Sequence, residues 1–145
     1  MIALIQRVTR AEVRVGEHTI AAIELGIAAL VGVRRTDEQS DAERLIERML
    51  GYRIFPDPAG RMNLDLRSVG GGLLLVPQFT LAADTARGMR PGFSTAAPPE
   101  KASALFGYLV QRAGERHQPV ASGAFGAHMQ LSLINDGPVT FWLET

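Results

Sequence analysis

The chain has no cysteine among its 145 residues. That excludes a disulfide framework, a thiol nucleophile and any cysteine-ligated metal, and it fits a reducing cytosol. Net charge at pH 7 is zero, so the strongly basic balance of a protein that holds nucleic acid by its phosphates alone is missing. If the chain binds RNA, contact is therefore expected to be local, at an end. Lysine is almost absent: the basic residues are fourteen arginines and Lys101. Genomic base composition explains this more simply than phosphate binding does. No apolar run reaches membrane-span length, and the longest, Gly26 to Val33, is of strand length. The opening Met1–Arg7 lacks the basic start and long apolar core of a signal peptide. A cytoplasmic protein with no membrane partner is expected. No internal repeat, linker or low-complexity tract appears.

What is present suits one domain, residues 1–145, able to bury a core, with 46% hydrophobic and 21% charged residues. Ile2–Val8 and Ala11–Val15 read as two strands, and Gly16-Glu17-His18 turns the chain into Thr19–Ile23. Gly26–Val33 reads as a strand buried on both faces. Ala42, Leu45, Ile46, Met49 and Leu50 share one helical face. Ser40 with Glu43, or Thr36 with Gln39, would cap that helix, and Gly51 would stop it. Tyr52–Phe55 and Arg61–Leu66 read as short strands about the turn Pro56–Gly60. Gly70-Gly71-Gly72 lacks the spacing of a phosphate loop and leads into strands Leu73–Val76 and Gln78–Leu81.

Ala82–Pro98 is a long loop of the kind that often carries function. A second helix starts at Pro98-Pro99, buries Ala102, Leu105, Phe106, Leu109 and Ala113, and ends near Gly114. Pro119–Ala121, the alternating Met129, Leu131 and Leu133, and Val139–Leu143 complete the strands. The expected class is α/β, with layered, barrel-like sheets and two main helices.

The usual catalysts are scarce. His18, His117 and His128 have no zinc-ligand spacing, and no metal or cofactor is expected. His18 and His117 read as solvated, His128 as structural. No Gly-x-Ser-x-Gly elbow exists. Asp84 and Asp136 read as turn caps. Thr80 is a hydroxyl within an apolar run, but no base lies near it in sequence to make it a nucleophile. A reaction of low intrinsic barrier, such as hydrolysis of an activated ester, needs positioning more than acid–base machinery, and main-chain dipoles can supply it. Two segments suit that role. Pro77-Gln78-Phe79-Thr80-Leu81 sets polar atoms into an apolar run, and Gly137-Pro138 interrupts a strand and can present carbonyl oxygens outward.

These pieces, with Ile5-Gln6-Arg7-Val8, Gly51-Tyr52-Arg53-Ile54-Phe55, Met62-Asn63-Leu64, Arg87-Gly88-Met89-Arg90-Pro91 and Asn135-Asp136-Gly137-Pro138-Val139-Thr140, give the sequence its likeness. It resembles the D-aminoacyl-tRNA deacylases, once called D-tyrosyl-tRNA deacylases, over nearly its whole length. The resemblance implies a homodimeric, cytosolic tRNA-editing hydrolase that cleaves the ester between a D-amino acid, or misattached glycine, and the 3′ end of tRNA.

By resemblance Gln78, Phe79 and Thr80 are the catalytic segment. Gly137 and Pro138, joined by a cis bond, enter the partner's pocket; Arg7 braces their loop, and Met129 walls the pocket. The resemblance also implies that a hydroxyl of the terminal ribose assists the chemistry. Paired carbonyls beside the substrate α-carbon would exclude an L side chain and admit a D one, whatever its identity; glycine would pass.

One residue departs from the pattern. Pro77 stands where the family usually has Ser, removing a hydroxyl and an N–H; a related animal branch of looser chirality carries Pro-Gln-Ala-Thr there. The residues alone leave open whether the Gly137–Pro138 bond is cis and whether Thr80 acts chemically or only positions substrate. The alternatives are an enzyme whose main substrate is glycyl-tRNA, a nucleic-acid-binding module without hydrolysis, and a purely structural dimer.

Overall fold

A computed structural model describes residues 1–145. Its spine is one 14-residue strand, β1 (Ile2–Val15), and not the two strands expected. β2 (His18–Ile23) and β3 (Gly26–Gly32) pair antiparallel along one edge of β1, and the 15-residue β8 (Gln130–Glu144) runs along the other. β6 (Gly72–Pro77) lies parallel to β3, and β7 (Val120–Ser122) parallel to β6. The result is a curled, nearly closed barrel-like sheet with helices against one face, as the sequence predicts.

The two-strand reading of residues 2–15 has a physical origin. Ala3 and Ile5 pack into the main core, whereas Val8, Ala11 and Val13 pack into a second core. The register shift between Val8 and Arg10 changes which parity points inward. β8 makes the complementary switch: Leu131 and Leu133 serve the second core, Phe141 and Leu143 the first.

α1 (Gln39–Gly51) and α3 (Pro99–Arg116) cover the main core with the ten residues expected from their spacing. Burying each large aliphatic side chain contributes about 1.5–3 kcal/mol. The cap of α1 differs from both expectations. Glu38 is its N-cap, and the Asp41 carboxylate accepts the Glu38 N–H at 2.9 Å. That backbone hydrogen bond holds Asp41 below the usual carboxylate pKa range. α3 runs past Gly114 to Arg116 because its last turn is tied to α1: Glu43 accepts from Tyr108 (2.6 Å) and Arg112 (2.7 Å) and pairs with Arg116. His117 follows in extended geometry, half-buried with Nε2 2.7 Å from the Gly71 oxygen, and not solvated as expected.

The remaining elements are small. β4 (Phe55–Pro56) and β5 (Met62–Leu64) form a separate hairpin. Asp57 Oδ1 accepts the Ala59 and Arg61 N–H groups across its turn. A four-residue helix unforeseen from the sequence, α2 (Leu66–Val69), is capped by Asp65, whose Oδ1 accepts both Ser68 N–H (2.8 Å) and Ser68 Oγ–H (2.6 Å). No helix is long and apolar enough to cross a membrane.

Candidate functional site

Gln78–Leu81 does not form a strand. β6 ends at Pro77, and residues Phe79–Ala82 wind into a 3₁₀ turn. Gln78 is anchored as its N-cap, because its N–H already donates to Val31 O of β3 at 2.7 Å. Phe79 and Thr80 open the turn, so their N–H groups find no acceptor inside it. The Gln78 amide donates to Thr80 Oγ1 at 2.6 Å, so that hydroxyl is held locally.

The segment separates two depressions. Gln78, Phe79 and Met129 line a cavity of about 540 Å³, together with Pro77, Phe125 and His128 and floored by Leu30 and Val76. Thr80 opens instead into a neighbouring depression of about 530 Å³ with Arg34, Asp84, Thr95 and Trp142. The Phe79 ring is half exposed and tilts against Phe93 at 5.1 Å between centroids. Pro77 is half-buried at the rim, paired with Val31 through the parallel register. Asp84 caps its turn as expected, accepting Ala86 N–H at 2.9 Å. No cluster of three or more His, Cys, Asp or Glu side chains is arranged to hold a metal.

Gly137-Pro138 does not interrupt two strands but bulges from within β8. Val8 pairs with Asn135 and Gln6 with Thr140, so five steps of β8 oppose two of β1. The three surplus residues are expelled as a loop that exposes Gly137 and Pro138. Gly137 has φ +130°, which disfavours any side chain, and a Cβ there would stand 2.7 Å from Val139 Cγ2. The Gly137–Pro138 bond is cis, as is Gln118–Pro119.

Two side chains hold this loop. Arg7, 11% exposed, donates from Nε to Asp136 O (3.1 Å), pairs with Asp136 Oδ2 (3.0 Å), and donates from Nη1 to Ile54 O (2.7 Å). Asp136 is thus an ion-pair partner and not the turn cap expected. Asn135 closes the base: its Oδ1 accepts Val139 N–H at 2.8 Å and its Nδ2 donates to Thr140 Oγ1 at 2.9 Å. Sequence reasoning quoted Asn135 without giving it a task; a side-chain amide just before a Gly-Pro pair was the available signal. Phe125 and His128 of the pocket rim were also missed as lining residues.

Within one chain the loop and the glutamine pocket do not meet. Arg7 pairs with Ile27, whereas Gln78 docks on Val31, four residues further along β3. That is roughly 13 Å at about 3.3 Å per residue. Arg7 shares parity with Ile5 of the main core, whereas Leu30, Val76, Met129 and Leu131 set most of the pocket against the second core, with Ala97 and Ala102 joining it from the main-core side.

An α/β protein with a barrel-like sheet, a largely apolar pocket beside Gln78 and a braced main-chain loop is thereby defined. The family profile described as "D-Tyr-tRNA(Tyr) deacylase" matches residues 4–144, and the chain belongs to that family. A "D-aminoacyl-tRNA deacylase" of Thioalkalivibrio sulfidiphilus (strain HL-EbGR7) is 63% identical over 144 residues, 99% of this chain and 97% of the relative. The solved structure of a "c-Myc DNA Unwinding Element Binding Protein" has a TM-score of 0.95 and 36% identity, covering 100% of this chain and 99% of its own. A "probable eukaryotic D-amino acid tRNA deacylase" shares the fold at TM-score 0.78 with 17% identity, over 99% of this chain and 98% of its own.

Proposed function

We propose that this chain is a tRNA-editing hydrolase that cleaves the ester between a D-amino acid and the 3′ end of tRNA. It works as a homodimer in the cytoplasm, and Gly137-Pro138 of one subunit closes the Gln78 pocket of the other. Family membership supports the reaction class. One observation carries the dimeric reading: a solvent-exposed Gly-Pro loop is held firm by Arg7 and Asn135, yet lies about 13 Å of strand away from its own pocket. A loop so braced does not reach the Gln78 pocket of its own chain.

The chemistry follows from position. Water attacks the ester carbonyl, the carbon–oxygen bond to the ribose breaks, and the proton passes to the leaving ribose oxygen. The N–H groups of Phe79 and Thr80 polarise the carbonyl, and the Thr80-held Gln78 amide orients the substrate. A hydroxyl of the terminal ribose supplies the assistance that no protein base provides. Met129 walls the side of the pocket. The Gly137 and Pro138 carbonyls occupy the direction an L side chain would take, so L esters are refused. Glycine has no side chain to refuse and is hydrolysed too.

The test is single-turnover deacylation of D-Tyr-tRNA and L-Tyr-tRNA. Release of D-Tyr only is expected; equal rates refute the chirality mechanism, and a monomeric mass in solution refutes the shared site. Comparing kcat/KM on glycyl and D-aminoacyl esters decides whether Pro77 shifts preference to glycine. A second reading, nucleic-acid binding without hydrolysis, is favoured by the likeness to the DNA-element-binding protein. Tight nucleic-acid binding with no ester turnover would favour it.

A further inference from the structure

Between Asp84 and Gly92 the chain leaves the sheet as a finger whose base is pinched shut. Asp84 N–H donates to Gly92 O at 2.8 Å, and Gly92 N–H returns a bond to Asp84 O at 2.9 Å. Beyond the pinch, Thr95 Oγ1 donates to Ala82 O, and Phe93 leans on Phe79 of the pocket wall. Residues 85–91 are all exposed, and Met89 at the tip has nothing covering it. Gly88, at φ +70°, turns the chain between Arg87 and Arg90.

The fold makes no use of these two arginines. Arg34, Arg67, Arg112 and Arg116 each meet a carboxylate; Arg87 and Arg90 do not. The finger's one acid, Asp84, spends Oδ1 on Ala86 N–H. Arg35, exposed and unpaired, adjoins the finger through its N–H on Thr95 O at 2.9 Å. Arg10, Arg44 and Arg61 also lack carboxylate partners, but the finger sets two such guanidinium groups three residues apart on one pinned loop, with Arg35 beside it. Guanidinium forks match phosphate oxygens, and a pinned loop loses little freedom on gripping them.

We propose that Arg87 and Arg90 clamp phosphates of the single-stranded 3′ end of the tRNA whose ester enters the adjoining pocket, an inference that rests on the hydrolase reading above. The finger lines the neighbouring depression with Asp84 and Thr85 and meets the wall of the Gln78 cavity through Phe93 on Phe79, so nucleotides preceding the terminal adenosine would pass beside it on leaving that cavity.

The test compares the full-length protein with its R87A/R90A and R87K/R90K variants. Anisotropy with uncharged tRNA is read across roughly 50–200 mM salt, alongside kinetics on D-Tyr-tRNA and on D-Tyr-adenosine ester. Losing two single-strand phosphate contacts should weaken tRNA binding about tenfold or more and flatten the slope of log K against log salt by about 1.4. KM for D-Tyr-tRNA should rise by the same factor with kcat within about twofold, the adenosine ester should be unaffected, and the lysine variant should keep the slope. An unchanged slope, an equal loss on the adenosine ester, or a changed oligomeric state in R87A/R90A would overturn the proposal. Wild-type protein that turns over neither ester but keeps an arginine-dependent salt slope would sink the hydrolase reading and leave the finger's role standing.

Discussion

Replacing Arg7 with Ala removes three contacts at once. Two are main-chain bonds, to Ile54 O and Asp136 O, made by a guanidinium that is 11% exposed. Bonds from a charged donor contribute roughly 1.5–3 kcal/mol each. The third, to the Asp136 carboxylate, is worth at most about 1 kcal/mol because Asp136 is 44% exposed and screened by solvent. Water can refill part of the vacated space, so the expected loss is about 3–4 kcal/mol, near the low end of that sum. For a domain of this size that corresponds to a fall in Tm of roughly 10 °C. The functional consequence is larger, because Arg7 alone joins the Gly137-Pro138 loop to the segment before β4.

With the brace gone, the carbonyls lose their fixed aim. The D-over-L ratio of deacylation should drop by an order of magnitude or more, about 1.4 kcal/mol per tenfold. Arg7→Lys keeps the charge but a single ammonium cannot span both carbonyls, so it should fall between wild type and Arg7→Ala. Thermal scanning and paired D- and L-Tyr-tRNA assays read both effects. A Tm within about 1 °C of wild type, together with unchanged discrimination, would refute the bracing argument.

Gly137→Ala forces a side chain onto φ +130° and against Val139, so the loop must shift; D-over-L selectivity should fall, at a stability cost of about 1–3 kcal/mol measured by urea titration. Gly26→Ala is the contrasting structural case. Its Cβ would sit 2.0 Å from Gly72 O, the β3–β6 pair would have to part, and soluble expression or Tm should collapse without any specific effect on chirality. Acid sensitivity follows from Glu43, whose pKa is held below its usual value by the Tyr108 hydrogen bond first and the Arg112 bond next. A depressed folded pKa gives stability that is present above the unfolded pKa and lost as pH falls through the folded one. The Tm gap between wild type and Glu43→Gln should therefore close as pH drops below about 4.5; a gap constant from pH 7 to 3 would contradict this.

The helices were legible because burial there follows a strict period, and β3 because its apolar run is unbroken and buried on both faces. Ala42, Leu45, Ile46, Met49 and Leu50 face inward on α1 exactly where a 3.6-residue repeat puts them. The 3₁₀ turn at Phe79–Ala82 was not legible, since four residues carry no period and Leu81 mimics a strand residue. α2 was hidden for the same reason, existing through the Asp65 cap more than through any pattern. Gly114 misled because ion pairs from Arg112 and Arg116 to Glu43 outweigh the roughly 1 kcal/mol cost of a helical glycine. At the site, the Gly-Pro loop and Gln78 stood out by residue type. The Arg7 acceptor, Ile54 O, is a backbone atom and leaves no mark in the sequence.

The switch of β8 from one core to the other links the fold to the loop. Side chains alternate faces along a strand, so an odd number of surplus residues is needed to move the inward set from one face to the other. β8 inserts three between Asn135 and Thr140, and by that count Leu133 and Phe141, both odd-numbered, serve different cores. One surplus residue would suffice for the switch and would lie nearly flat in the sheet. Three push a loop clear of it, and the extra main chain then needs its own anchors, which Arg7 and Asn135 supply. The fold therefore accounts for a bulge at this point of β8, but not for its size or its bracing. Those are what the proposed main-chain wedge, acting outside its own subunit, would require.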